Sequence, residues 1–258
     1  MFHEQMEFII FHTTPNRVVK VNCVERSEYG HAMGGSAAYE GLTPIPDSPP
    51  IHLLFRLNQD DPVLGQVVSG VQWLPLLCGI HYHACNLGYH VVSNNEVKIL
   101  HIETPDIHRD SHDDFPDVLP FVESIALRTT NYDPNNIEHA LLCARVFEFE
   151  GMDPERFQEL IRHVEEEDSE QLERFETSAE EALRNIVCSP FMQGRPDDDC
   201  PDPACSNHGR KGTLRTLAIF TESWMRDYDR LWLGRGNPQI VYQICPDCCA
   251  IRVTSQSD

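Results

Sequence analysis

The chain has 258 residues, ten cysteines and a formal net charge of −21. That length can bury a substantial core, and that charge repels polyanions over most of the surface, which disfavours nucleic acid and anionic membrane as partners. No apolar run approaches the roughly 20 residues of a membrane helix, and the opening Met-Phe-His-Glu-Gln-Met-Glu lacks the basic stretch of an export signal, so a cytoplasmic protein without membrane contact is expected.

Along the chain, residues 7–12, 18–24 and 51–57 are apolar or β-branched runs bounded by turn signals, and each predicts a strand. Between the second and third lie Gly34-Gly35 and the stretch Pro44-Ile-Pro-Asp-Ser-Pro-Pro50, which sustains neither a helix nor a central strand and reads as a loop. Residues 71–80 are apolar but short and contain Gln72 and Pro75. Residues 87–92 and 97–102 flank Ser93-Asn94-Asn95, and because asparagine tolerates positive φ this predicts a hairpin. Residues 106–117 are polar and acidic between Pro105 and Pro116 and predict a loop.

Helical signals follow. A helix is expected over 136–147, and a clearer one begins at Asp153, an N-cap residue with Pro154 at the first helical position and Phe157, Leu160, Ile161 and Val164 on one face. Residues 169–187 place Leu172, Phe175, Ala179, Leu183 and Ile186 along one side of a second helix. Together they predict an acidic helical hairpin over 153–187. Residues 150–181 hold 13 Asp/Glu against three Arg, a charge run that ordinarily is a solvated face and alternatively docks a basic protein partner through Glu165, Glu166, Glu167 and Asp168.

The tail has a different composition. Residues 200–258 carry seven Lys/Arg against six Asp/Glu, whereas the preceding 199 carry 13 against 35. Short strands are expected at 213–221, 238–244 and 251–254. Five cysteines are concentrated here, and clustered cysteines in a cytosolic chain point to metal. Cys200-Pro-Asp-Pro-Ala-Cys205 and Cys245-Pro-Asp-Cys248 form two paired-cysteine turns, the arrangement that supplies four tetrahedral thiolates to one structural Zn²⁺. His208 and Cys249 are substitutes for one ligand each. The order knuckle, strand, strand, knuckle, strand is similar to a zinc ribbon. A redox dithiol at Cys245 and Cys248 is the rival reading, and it fits poorly because so few residues follow to form the helix that stabilises such a thiolate.

Two further readings are open. In Cys78-Gly-Ile-His81-Tyr-His83-Ala-Cys85, strand geometry would put His81, His83 and Cys85 on one face, the start of a second metal site in a metal-dependent hydrolase, with Asp106, His108, Asp110 and His112 as a polar cluster nearby. Arg210, Lys211, Arg215, Arg226, Arg230 and Arg235 with Trp224, Tyr228 and Trp232 supply cations and stacking groups for a nucleic-acid-binding ribbon, although the same aromatics fit one buried helical face. There is no phosphate-binding glycine loop, nucleophile elbow or His-Glu-x-x-His helix.

Gly34-Gly35, the proline-containing loop and Ile51-His-Leu-Leu-Phe-Arg-Leu-Asn58 resemble the YwqG-like family of uncharacterised bacterial proteins over about a third of the chain. The resemblance implies a mixed α+β fold without a defined activity, and some members are similar in carrying cysteine knuckles. The expectation is therefore an α+β protein: a body over 1–189, strand-rich to about residue 130 and including the helical hairpin, followed by a zinc ribbon over 190–258 that packs on the main sheet. Its expected role is binding or scaffolding, with the zinc structural.

Overall fold

A computed structural model describes residues 9–11, 17–42, 49–104, 117–131, 196–220 and 239–256. These residues form ten strands: β1 (Ile9–Phe11), β2 (Arg17–Gly35), β3 (His52–Asn58), β4 (Trp73–Cys78), β5 (Leu87–Ser93), β6 (Glu96–Ile102), β7 (Leu119–Asn131), β8 (Arg215–Phe220), β9 (Gln239–Ile244) and β10 (Ile251–Gln256). They make one antiparallel sheet in the order β4-β3-β2-β1-β8-β9-β10-β5-β6, with β7 on β2. The α+β expectation is corrected accordingly. Among the described residues the only helical element is a one-turn 3-10 segment, His83–Cys85, and the rest of the regular structure is strand. The hairpin expected at 153–187, the helix at 136–147 and residues 106–116 of the expected loop lie outside the described residues.

The long β2 organises the sheet. Its first part pairs with β1 at Val18, Val19 and Lys20, its last part pairs with β3 at Ala32 and Met33, and β7 runs along it from Arg17 to Gly35. From Asn22 to His31 on β2 the partner position moves only from Ala126 to Ile125, so β2 carries a wide bulge here.

β3, β4 and β9 are buried along nearly their whole length. That is why the sequence 73–78 has no polar alternation: a strand covered on both faces reads as a continuous apolar run. The sheet's two ends meet. Tyr89 on β5, fully buried, donates its hydroxyl to the Pro75 carbonyl (2.8 Å) and accepts the Leu77 N–H (3.2 Å), both on β4. Asn94, at the tip of the β5–β6 hairpin, accepts the N–H groups of Gln72 (2.8 Å) and Trp73 (3.1 Å) through its side-chain oxygen.

The hairpin falls where the sequence places it, by a different mechanism. Neither Asn94 nor Asn95 has a positive φ. A two-residue turn without positive φ splays its strands, and the register slips by one between Val91 and Ser93 to absorb the mismatch. The tip is also pinned from the side. Glu40 donates its N–H to the Asn95 carbonyl and accepts the Val97 N–H, and Gly41 permits this approach, since a Cβ there would lie 2.1 Å from the Val97 carbonyl oxygen.

The C-terminal strands do not pack on the main sheet; they are its middle. β8 pairs with β1, β9 with β8 and β10, and β10 with β5. The two units expected at 1–189 and 190–258 thus share one sheet among the described residues. No helix among those residues is long and apolar enough to cross a membrane.

Candidate metal centre

The second knuckle is the β9–β10 connection. β9 ends at Ile244 and β10 starts at Ile251, opposite one another in register, so the six residues between them must reverse the chain tightly. Cys245 donates its N–H to the Ala250 carbonyl (2.8 Å), and Cys249 donates its N–H to the Cys245 carbonyl (2.9 Å). Cys249 closes the turn at φ +59°, a conformation rare outside glycine and asparagine.

The first knuckle is built by short-range polar contacts. Asp202 accepts the Ala204 N–H on Oδ1 (2.9 Å) and the Cys205 N–H on its carbonyl (3.0 Å), which curls the chain between Cys200 and Cys205. Asn207 reaches across to the second knuckle, donating from Nδ2 to Cys245 Sγ (3.5 Å) and to Asp247 Oδ2 (2.9 Å), and Ser206 donates to the same carboxylate oxygen (3.1 Å). A small apolar cluster of Leu214 and Ala250, with the half-buried Leu100, lies beneath.

The two knuckles converge, so Cys200, Cys205, Cys245 and Cys248 have sulfur atoms all within 4.8 Å of one another. Cys200 Sγ is 3.4 Å from Cys248 Sγ, and Cys205 Sγ is 3.7 Å from Cys245 Sγ. Four sulfurs at about 2.3 Å from a central ion stand about 3.8 Å apart along each tetrahedral edge. The spacing and the donor chemistry therefore fit a tetrahedral metal ion, and a four-cysteine cluster able to hold one is what the two sequence motifs produce.

Electrostatics supports the same assignment. Burial opposes ionisation at Cys245, but the Asn207 amide and the N–H groups of Cys248 and Asp247 together outweigh it and bring that thiol down to about 7. Burial pushes Cys248 up to about 12 and Cys200 higher still. The Cys245 thiolate forms readily, whereas those of Cys200 and Cys248 need a compensating cation.

The proposed substitutes stand apart from this group. His208 is turned away, with Nδ1 2.7 Å from the Cys200 carbonyl oxygen, where it donates. Cys249 lies outside the four mutually close sulfurs, and burial raises its thiol.

The histidine pair is separated. Residues 79–86 form a connection rather than a strand: β4 ends at Cys78 and a 3-10 turn spans His83–Cys85, with Ala84 and Cys85 at positive φ. Alternation therefore fails. His81 is buried with its ring 5.3 Å from that of His52, His83 is exposed, and Cys85 is buried in the core near Cys78. No group of metal-ligating side chains among the described residues includes His81, His83 or Cys85. Asp106, His108, Asp110, His112, Glu165, Glu166, Glu167, Asp168, Trp224, Tyr228 and Trp232 lie outside the described residues.

Sequence reasoning missed the support beneath the first knuckle. Gly88 on β5 faces Pro201, where a Cβ would come within 2.4 Å of the proline Cβ. Two residues on, His90 pairs through Nε2 with Asp202 Oδ2 at 3.0 Å. This bond, with the Ala204 N–H, holds the Asp202 carboxyl below its ordinary range. The available signal was a glycine inside a strand, which marks close approach of another backbone.

A second buried polar cluster lies elsewhere. His31 accepts the Asn58 N–H at Nδ1 (3.0 Å), which places its proton on Nε2, donated to Asp61 Oδ2 (2.8 Å). Both ring nitrogens are committed, so the pair ties β2 to the turn after β3 and has no free base to offer.

Comparison with family models, with curated proteins and with solved structures finds no match to this chain.

Proposed function

We propose that Cys200, Cys205, Cys245 and Cys248 hold one structural Zn²⁺, and that the protein acts by binding or scaffolding rather than by catalysis at that ion. The observation that carries this reading is the mutual approach of four sulfurs from two knuckles far apart in sequence. All-thiolate tetrahedral donors select zinc or iron over hard cations, and zinc serves where no redox step is required. Four protein ligands leave no position for a reacting water. The ion crosslinks the 200–205 and 245–248 turns and contributes folding free energy. Reduced thiols in this number suit the cytoplasm.

Elemental analysis of purified full-length protein after mild chelation tests the site. One zinc per chain is expected, lost together with thermal stability in a Cys245→Ser/Cys248→Ser variant and kept in Cys249→Gly. Wild-type protein that folds without zinc, or that carries iron, would sink the assignment. An acidic protein-binding surface is part of this reading: neutralising Glu165, Glu166, Glu167 and Asp168 is expected to leave the fold intact and to weaken partner recovery in a pull-down, and unchanged recovery counts against that surface.

A further inference from the structure

The geometry points to a second metal site, sharing one sulfur with the first: His90 Nε2, Asp202 Oδ2 and Cys248 Sγ form a three-ligand seat for a borderline divalent cation such as Zn²⁺ or Co²⁺. This inference rests on the four-cysteine reading, because it takes Cys248 as a thiolate already in place. The three ligand atoms all lie within 4.8 Å of one another, and together they offer one imidazole nitrogen, one carboxylate oxygen and one sulfur.

The seat is held by the surrounding backbone. Gly88 and His90 are two apart on β5 and so share a face of the strand. The missing Cβ of Gly88 lets Pro201 lie directly against that face, which sets the next residue, Asp202, beside His90. The Asp202 carboxylate is oriented, since Oδ1 accepts the Ala204 N–H and Oδ2 is the oxygen 3.0 Å from His90 Nε2. A tetrahedral ion with nitrogen and oxygen ligands at about 2.0–2.1 Å separates those two atoms by about 3.3 Å, so the existing spacing needs little adjustment. Cys248 Sγ belongs both to this group and to the four-sulfur cluster. A thiolate sulfur keeps lone pairs beyond the one it gives its first ion, and can bridge to a second.

Cation binding replaces the hydrogen bond between His90 and Asp202. The ring changes tautomer, its single proton moving from Nε2 to Nδ1 by exchange with solvent, and the freed Nε2 lone pair goes to the ion. The side chains of His90 and Asp202 remain 22% and 18% exposed, so the seat opens outward. Three protein ligands leave a fourth position for water or a ligand atom, which makes this second ion exchangeable where the first is enclosed. The site is thus a labile metal centre fixed to a structural one.

The test uses the full-length protein purified with zinc, cleared of loosely held metal with a mild chelator, titrated with Co²⁺, and freed of excess by gel filtration. Metals per chain are then counted by elemental analysis, with the visible Co²⁺ spectrum as a second readout. The expected result is one zinc and one cobalt per wild-type chain, falling to one zinc and no cobalt in His90→Ala and in Asp202→Asn. A wild-type chain whose total metal stays at one overturns the second site and leaves the first standing. Undiminished cobalt uptake by His90→Ala also overturns it. Loss of zinc along with cobalt in His90→Ala overturns it too, because His90 would then be only a clamp on the knuckle. Wild-type protein without any zinc after purification fails both readings at once, which separates the two.

Discussion

His31 is the residue whose charge state the fold constrains most plainly. It is fully buried on β2, accepts a backbone N–H at one ring nitrogen and donates to Asp61 from the other. Burial lowers its pKa below the ordinary value, and the neighbouring Asp61, which pulls the other way, does not fully offset this. The unfolded chain therefore takes up this proton at a higher pH than the folded one. Stability from His31 is fully present above the ordinary histidine value of about 6.5 and is lost as pH falls through that value toward the lower folded pKa. Chemical denaturation at a series of pH values from about 7.5 to about 5 should show falling stability, with a shallower slope in His31→Gln. Equal slopes in the two proteins would show that His31 is not the group responsible. No motif announces this pair, because His31 and Asp61 are 30 residues apart. The four cysteines were legible for the opposite reason: each knuckle is local, and its spacing is itself the geometry of a metal turn.

At the scale of the element, β5 supports the four-cysteine cluster through what it omits. A methyl group at Gly88 would overlap Pro201, whose position sets the first knuckle. The atoms it would meet belong to a proline ring and not to the end of a flexible side chain, so the knuckle has to shift as a unit. Gly88→Ala is expected to destabilise the protein by about 1–3 kcal/mol, the usual cost of overpacking, and to speed zinc transfer to a competing chelator. Unchanged transfer kinetics would show that β5 does not position the knuckle. Several strands could be read from the chain because alternation or turn residues bound them: β5, β6, β9 and β10 coincide closely with the runs at 87–92, 97–102, 238–244 and 251–254. β4 and β7 were harder. β4 is covered on both faces and contains Pro75, which ordinarily argues against a central strand; it is tolerated here because β4 ends the sheet. The segment 79–86 misled because it reads as a continuation of the strand, when the strand ends at Cys78 and the chain turns through 79–82 into the 3-10 turn, which leaves His81 buried and His83 exposed.

For the whole molecule, the decisive fact is where the knuckle-bearing strands sit. A sequence read in order sees a compositionally distinct tail and infers an appended module. Strand pairing over long separations is invisible to that reading: β8 lies beside β1 and β10 beside β5, across most of the chain length. β9, buried at every position, and β10 occupy the middle of the sheet, with the second knuckle as their connecting turn. An ion binding only the folded state adds its binding free energy to folding, and the sheet transmits that linkage to every strand paired through β9 and β10. Removal of zinc is therefore expected to lower the stability of the strands on both sides together, in one cooperative transition. An appended ribbon would instead melt separately and leave the body at its original temperature. Calorimetry of the zinc-loaded and chelated protein distinguishes these outcomes. A single endotherm that moves down as a whole on chelation supports the shared sheet; a stationary main transition with loss of a small independent one would show that the C-terminal strands, though paired with β1 and β5, contribute little to holding the body together.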